Sequence, residues 1–520
     1  MKQNERRMYV GKKWFRVLLR KRFFIALLLV LQLFVMVYTL ASTSLASAVI
    51  SRILTFISFL VCIYIVSRKD KGAYKLTWVF MILLFPVFGG LFYLIFNFQT
   101  TTKRFSKRSA KTEAKAKKLL SMPGTAYKQF CDSVPQNTSQ VKYLQDFAGF
   151  PIYAASKTEY LSPGERKFER LLEELQKAEK YIFLEYFIVQ EGVMWDSVLD
   201  ILKDKVKQGV KVRLMYDDVG CFFLLPKDYP KKLRKLGIEC VIFNPFKPVL
   251  TSVQNNRDHR KIAVIDGKVA FTGGINLADE YINAIDKHGH WKDAAVMVEG
   301  KAAWSFTLMF LQMWELVTGI DEDYAKYYPW KNEPCSIKAN GFVQPYADSP
   351  MDKDNVGEHV YLQIINSAKK YVYINTPYLI IDDSMVSALC LAAKSGVDIR
   401  IVTPHRWDKW VVHMTTRSYY RELINAGVKI YEYSKGFIHS KTFVSDDTVA
   451  TVGSTNLDFR SLYLHFECGV WMYETDAVME VKDDFLQTLE ECQQITAKDC
   501  KCSLPLRVFQ DFMRLIAPLM

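Results

Sequence analysis

Residues 255–276 read NNRDHRKIAVIDGKVAFTGGIN, and residues 437–456 read FIHSKTFVSDDTVATVGSTN. In each copy a His is followed at +2 by Lys, at +7 by Asp, at +14 by Gly and at +17 by Asn. These are His259, Lys261, Asp266, Gly273 and Asn276, then His439, Lys441, Asp446, Gly453 and Asn456. A lone H-x-K on a strand is usually a surface pair; five residues repeated in type and spacing point to chemistry.

Each copy has strand periodicity, carried by Ile262, Val264, Val269 and Phe271 in the first and by Phe443, Val444, Val449 and Thr451 in the second. His and Lys two positions apart on an extended segment project from one face, so an imidazole and an ammonium point together. Asp266-Gly267 and Asp446-Asp447 supply a hairpin turn, and the return strands end in Gly-Gly-Ile-Asn and Gly-Ser-Thr-Asn. The small residues are expected to let the Asn and the backbone approach a ligand. Such a doubled set suits a phosphodiester. Lys261, Lys441, Asn276 and Asn456 bind its non-bridging oxygens, one neutral His attacks phosphorus, and a protonated His donates to the leaving oxygen. Neither a metal nor another cofactor is required.

Around the two motifs the chain reads as two parallel halves. In the first, residues 165–180 and 197–208 are helical, and 181–189, 210–216 and 237–243 are strands. In the second, 359–368 and 385–395 are helical, and 371–380, 397–402 and 427–433 are strands. Alternating strand and helix signals predict parallel sheets with right-handed crossovers, hence an α/β fold whose halves share one site at their seam.

The sequence resembles the phospholipase D superfamily, whose members carry two H-x-K-x4-D-x6-G-G/S-x-N motifs, and within it the bacterial cardiolipin synthases. The closer match rests on LEYF at 184–187, HWKD at 290–293, NTPY at 375–378, SGVDIRI at 395–401, AGVKIYEY at 426–433, NLDFRS at 456–461 and the RLIAPL ending, and covers residues 47 to the C-terminus. The resemblance implies two phospholipase D-like α/β/α halves in one pseudo-symmetric catalytic body. It also implies a phosphatidyltransferase that joins two phosphatidylglycerols into cardiolipin and releases glycerol, with His259 as nucleophile and His439 as proton donor. A hydrolase of the same superfamily and a non-catalytic membrane scaffold are the rivals; no His or Lys of the motifs is lost, which disfavours the scaffold. In the superfamily an acid downstream of each motif bonds His Nδ1, and Asp293 and Glu467 occupy those positions. Asp266 and Asp446 belong to the family's catalytic motif, although at +7 they read better as turn and buried structural acids. Glu185, Asp217 and Tyr378 lie at strand ends within reach of a headgroup.

The net charge of +14 would suit a nucleic-acid partner until it is located. Residues 1–22, 67–75 and 101–118 contribute +8, +3 and +7, and Arg52 one more, which leaves residues 119–520 near −5. The positive charge therefore flanks hydrophobic segments, and no nucleic-acid partner is expected. Those segments, at about 23–44, 46–66 and 76–98, predict N-terminal transmembrane helices in an anchor over residues 1–100. A basic connector follows at 101–155, then the first half at 156–335 and the second at 336–520. Ala46-Ser47-Ala48 resembles a signal cleavage site, but the apolar run is too long and another follows.

Keeping every basic flank inside needs two crossing segments and a third, broken by Pro86 and Gly89-Gly90, that dips in without crossing; the alternative, three full crossings, puts the catalytic body or the basic N-terminus outside. The expectation is thus a multi-pass cell-membrane protein with its catalytic body on the cytoplasmic side, acting on phosphatidylglycerol in the bilayer. Ten scattered Cys without a metal or disulfide spacing agree with a reducing compartment. The oligomeric state is open, a homo-oligomer included. At the C-terminus Val508, Phe509, Phe512, Met513 and Ile516 recur at helical spacing with Arg507 and Arg514, a stripe expected to pack into a core rather than against a membrane.

Overall fold

The computed structural model describes residues 45–519 apart from 86–88, 91–92, 95–99, 121–124, 247–251, 332–333 and 353. The first predicted hydrophobic segment, 23–44, lies outside the described residues. Two compact units emerge, one drawn from residues 1–105, 246–255 and 518–520, the other from 106–245 and 256–517.

In the first unit, helix α1 (Leu45–Ser67) packs on helix α2 (Gly72–Leu84). Val61, Ile65, Trp78, Ile82 and Tyr93 form a small core there, with the Trp78 and Tyr93 rings edge to face at 5.0 Å. Other large side chains of α1, among them Ile53, Phe56, Phe59, Ile63 and Val66, are exposed. Among the described residues no helix meets the combined length and apolarity needed to cross a membrane.

The second unit holds two sheets. In the first half the strands are β1 (Ser156–Leu161), β2 (Tyr181–Tyr186), β3 (Lys211–Asp217), β4 (Glu239–Phe243), β5 (Lys261–Ile265), β6 (Val269–Gly273), β7 (His290–Lys292) and β8 (Ala295–Gly300). In the second they are β9 (Phe342–Asp348), β10 (Tyr371–Asn375), β11 (Leu379–Ile380), β12 (Asp398–Pro404), β13 (Lys429–Tyr433), β14 (Gly436–Ile438), β15 (Thr442–Ser445), β16 (Val449–Gly453), β17 (Leu457–Asp458), β18 (Glu467–Tyr473) and β19 (Cys492–Ile495). The first sheet runs β4-β3-β2-β5-β6-β8-β1 and the second β19-β13-β12-β10-β15-β16-β18-β9. Apart from β19 the two orders correspond strand for strand, so the sequence repeat is a repeat of topology.

Both sheets are mixed rather than parallel, which corrects the expectation from helix–strand alternation. β2, β3 and β4 are mutually parallel, as are β10, β12 and β13, because helices join them. The motif hairpins β5–β6 and β15–β16 then enter antiparallel beside β2 and β10, since a tight turn can only reverse the chain. The strand expected over 371–380 is split at Pro377, which cannot donate to a ladder, into β10 and β11. Helix α3 (Thr100–Leu120) contains the basic connector. Helix α4 (Gly164–Gln176) and helix α5 (Val193–Lys207) cover the first sheet as predicted, and a third helix, α6 (Asp218–Cys221), follows β3 directly. Helix α7 (Ala303–Thr318) was not anticipated: it is apolar nearly all round and buried, stacking Phe310 on Phe183 of β2 at 4.7 Å.

The two halves are stitched at the ends of the motif strands. β14 pairs in parallel with β7, Phe437 opposite Trp291, and a bridge joins Asp258 to Phe466. The first motif therefore meets strand β18 of the second half, and the second motif meets β7 of the first.

Candidate active site

His259 lies two residues before β5 and His439 within the run from β14 to β15, and both are buried at the seam. Their backbones are held across it: His259 N donates to the Phe466 carbonyl at 3.0 Å, and His439 N to the Lys292 carbonyl at 2.7 Å. The residue after each of those carbonyls supplies the acid. Glu467 accepts from His259 Nδ1 at 2.9 Å, and Asp293 from His439 Nδ1 at 2.6 Å. Sequence order sets Asp293 behind His259 and Glu467 behind His439; the structure crosses them, each acid serving the imidazole of the other half. An Nδ1–H held by a carboxylate leaves Nε2 as the free lone pair.

The small residues of the motif make room for these acids rather than for a ligand directly. A Cβ on Gly274 would come 2.1 Å from Asp293 Oδ1, and one on Gly273, at φ +152°, 2.4 Å from the Ala294 carbonyl. In the second copy position 454 is Ser, whose hydroxyl donates to Glu467 Oε2 at 2.5 Å.

Lys261 and Lys441 are buried beside the imidazoles, each ammonium donating to the carbonyl of its own motif His, at 2.5 Å for Lys261. Burial pushes Lys261 down to about 8 and Lys441 to about 7, while Glu467 and Asp293 pull the other way. Burial likewise pushes the Asp293 and Glu467 carboxyls up to about 7, against the pull of Lys441 and Lys261. Both imidazoles are held well below their usual range, first by burial and then by the two ammonium groups. Both shifts favour neutral imidazoles.

Aromatic walls enclose it. Phe187 lies 5.0 Å from the His259 ring, and Trp291 and Tyr281 lie 5.3 and 5.6 Å from His439. Phe187 and Trp291 close or lie within the LEYF and HWKD strings, which carried a resemblance but no role for either ring, and Tyr281, five positions after Asn276, was not singled out. His465 was also missed: its ring is 5.5 Å from that of His259, buried, with neither nitrogen hydrogen-bonded. Among the described residues His259, His465 and Glu467 bring three potential ligand atoms within 4.8 Å of one another. The Glu467 carboxylate is already shared between His259 and Ser454, so the trio as it stands positions an imidazole.

Asp266 and Asp446, grouped with the catalytic residues by their motif, are not brought to the imidazoles. Asp266 accepts from the backbone N–H groups of Glu179, Lys180 and Tyr181, and Asp446 from those of Lys369, Lys370 and Tyr371. Seven extended residues span roughly 23 Å, which puts each acid at the far end of its strand from its His. There it fixes the start of the neighbouring antiparallel strand, β2 or β10, from the hairpin turn, where Asp266 and Asp446 themselves have φ of 52° and 54°. Asn276 is also engaged, accepting from Ile188 N at 3.0 Å and donating to Tyr281 Oη at 2.7 Å. Asn456 keeps a buried Oδ1 without a partner.

Of the strand-end residues, Asp217 is fully buried, accepts from Val219 N, Gly220 N and Asp258 N, and pairs with Arg257 at 2.9 Å. It braces the approach to His259 rather than a headgroup. Glu185 is buried 3.9 Å from Arg260 Nη1, without a hydrogen bond. Tyr378 donates to Asp408 at 2.6 Å and lies 6.5 Å from the Phe437 ring, towards His439.

Two imidazole–carboxylate pairs and two lysines, one set from each half of a repeated α/β unit, define a phospholipase D-like protein. The family described as cardiolipin synthase, PLD-like domain, matches residues 171–314 and 361–489, and the chain belongs to it. A further match, to a phospholipase D-nuclease N-terminal family, covers residues 53–96. A cardiolipin synthase of Alkalihalophilus pseudofirmus is 38% identical over 86% of this chain and 88% of its own length, and one of a Geobacillus species 37% identical over 91% and 93%. An uncharacterised protein of Streptococcus mutans is 45% identical over 88% of this chain and 99% of its own length. Among solved structures, phosphatidylserine synthase of Haemophilus influenzae superposes with a TM-score of 0.55 at 13% identity, covering 72% of this chain and 98% of that one, a likeness of fold.

Proposed function

We propose that the chain is a membrane-bound phosphatidyltransferase that makes cardiolipin and glycerol from two phosphatidylglycerol molecules. The observation that carries this reading is the pair of buried imidazoles, each fixed at Nδ1 by the acid of the opposite half and flanked by a buried lysine, in a chain whose relatives are named cardiolipin synthase. Such a site forms and breaks a phosphoramidate without a metal.

In the first step the Nε2 lone pair of His259 attacks phosphorus, the P–O bond to glycerol breaks, and His439 delivers the proton that glycerol needs to leave. Burial first and the two ammonium groups second hold His439 neutral; the phosphodiester anion, bound by Lys261 and Lys441, offsets the ammonium part and so favours His439 taking up that proton. In the second step His439 removes the proton from a hydroxyl of the second lipid, whose oxygen displaces His259 from phosphorus. Nδ1–H donation to Glu467 steadies the charge His259 carries in between. The choice of His259 as nucleophile follows the family resemblance.

The anchor at 1–100, connector at 101–155 and halves at 156–335 and 336–520 complete the reading, as a multi-pass cell-membrane protein with its body in the cytoplasm and no nucleic-acid partner. The exposed apolar side chains of α1 and the basic flanks support attachment to a bilayer. Cys502 is exposed where Cys500 is half-buried, so a variant retaining only Cys502 is the better reporter of sidedness. It should react with an impermeant thiol reagent only after permeabilisation. The deciding experiment for the activity is incubation of the purified chain with labelled phosphatidylglycerol and mass analysis of the lipids. Cardiolipin with equimolar glycerol is expected; phosphatidic acid alone would make the chain a hydrolase instead.

A further inference from the structure

The loops that follow β3 and β12 occupy equivalent places in the two halves, at the strand ends where the motif His residues lie. Both carry exposed apolar side chains. After β3, Phe223 is 48% exposed, while Gly220 and Cys221 of α6 sit against Phe187, the ring that faces His259. After β12, Trp407 and Trp410 are 52% and 43% exposed, while Asp408 between them holds Tyr378 on the His439 side. Trp410 opens helix α8 (Trp410–Asn425) and stacks at 5.4 Å on Phe509 of helix α9 (Leu504–Ile516). The expectation of core packing holds only in part: Met513 is buried and Phe509 lies against Trp410, but Val508 of the stripe, with Leu504 before it, is exposed, at 59% and 74%, and extends the apolar surface along α9.

We infer that the exposed apolar rim formed by Phe223, Trp407, Trp410, Leu504 and Val508 seats the catalytic body on an anionic bilayer surface, with the mouth of the site against the lipid. This rests on the lipid substrate proposed above. Two observations select a bilayer as the occupant. Within 405–411 and 501–512 Asp408 is committed to Tyr378 and Lys409, which leaves Arg406, Lys501 and Arg507 against Asp511, a net positive rim. Tryptophan with flanking Arg and Lys is the composition favoured at the headgroup level, where the ring is apolar and the cation meets phosphate. Exposed apolar side chains also follow the equivalent strands β3 and β12 of both halves, as a surface that must meet lipid from either half requires.

The test uses the full chain, purified in detergent and reconstituted into vesicles of phosphatidylglycerol and phosphatidylcholine. The variants are Leu504→Ser with Val508→Ser, Trp407→Ser alone, and Arg507→Glu. Long-chain phosphatidylglycerol in the bilayer and dibutanoyl phosphatidylglycerol, dispersed as monomers, are compared as substrates. The bilayer rate should fall on the order of tenfold for the double variant, with a rise in apparent KM rather than a loss of kcat, while the rate on monomers stays within about twofold. Quenching of tryptophan fluorescence by brominated lipid should drop in Trp407→Phe and Trp410→Phe. Equal losses on both substrates, an unchanged bilayer rate, or a variant-dependent change in the mass of the detergent complex, which would make the rim a contact between copies, overturns the inference. If the wild type turns over neither substrate while quenching still depends on Trp407 and Trp410, the docking surface stands and the transferase reading falls.

Discussion

Glu467 lies 2.9 Å from Nδ1 of His259 across 208 positions of chain, and its own N-terminal neighbour, Phe466, accepts the His259 backbone N–H. One short piece of β18 therefore sets both the place and the tautomer of an imidazole that belongs to the other half. Asp293 and Lys292 do the same for His439.

Glu467→Gln and Asp293→Asn should each cut kcat by roughly 10²–10⁴-fold with little change in KM, because an amide no longer selects the Nδ1–H tautomer. The crossed pairing adds a sharper outcome. Glu467→Gln should suppress formation of the covalent intermediate, the His259 step, more than Asp293→Asn does when the leaving group needs no proton. Equal suppression in stopped-flow labelling would separate the acids from the imidazoles they hold.

His259→Ala should abolish trapping of lipid on the protein. His439→Ala should still be labelled by a substrate with an acidic leaving group, at a rate comparable to wild type, and then fail to release product. Mass analysis of the trapped peptide reads the outcome; lipid on His439 in the wild type would exchange the two roles.

Affinity for a phosphate-like oxyanion should fall as pH rises through 7 to 9. Burial depresses Lys441 to about 7 and Lys261 to about 8, so the empty site sheds ammonium protons across this window, and a bound anion must recover them. Binding should therefore take up protons above pH 7, by calorimetry in buffers of different ionisation enthalpy, and little below pH 6. The sign follows from the depressed values: the charged form, which the anion needs, is populated on the acid side.

Saturating EDTA should leave activity unchanged when the lipid is presented in neutral detergent, since two ammonium groups already carry the phosphate charge. Loss with chelator and recovery with zinc would point instead to the His259, His465 and Glu467 trio.

Asp266→Ala should lower stability by about 2–4 kcal/mol, because three backbone N–H groups lose their shared acceptor. Activity per folded molecule should persist. A thermal shift with retained kcat distinguishes this bracing role from a proton carrier.

The two motif hairpins and the parallel strands beside them were legible because each is a local pattern: alternation, a turn, an i,i+2 pair. The mixed direction of the sheets was not, since helix–strand alternation says nothing of where a hairpin inserts. β1 (SKTEYL) and β9 (FVQPYAD) carry polar residues at buried places, which hides their edge positions. The crossed acids were unreadable for a different reason: order along the chain pairs Asp293 with His259, and only the seam reverses it. Helical spacing at 508–516 announced a face on α9 without saying what covers it, and the face is divided: Phe509 and Met513 pack inward while Val508 and Phe512 stay exposed.

The reciprocity at the seam also bears on what a smaller relative would need. Cut between the halves, the chain would yield two fragments that each keep a nucleophile-like imidazole and an acid, yet neither acid could reach the imidazole beside it in sequence. A protein built from one such unit would be inert as a monomer and complete only as a two-fold dimer, each copy lending its carboxylate to the other. Joining two units in one polypeptide frees the copies to diverge, as Asp293 and Glu467, or Gly274 and Ser454, already have.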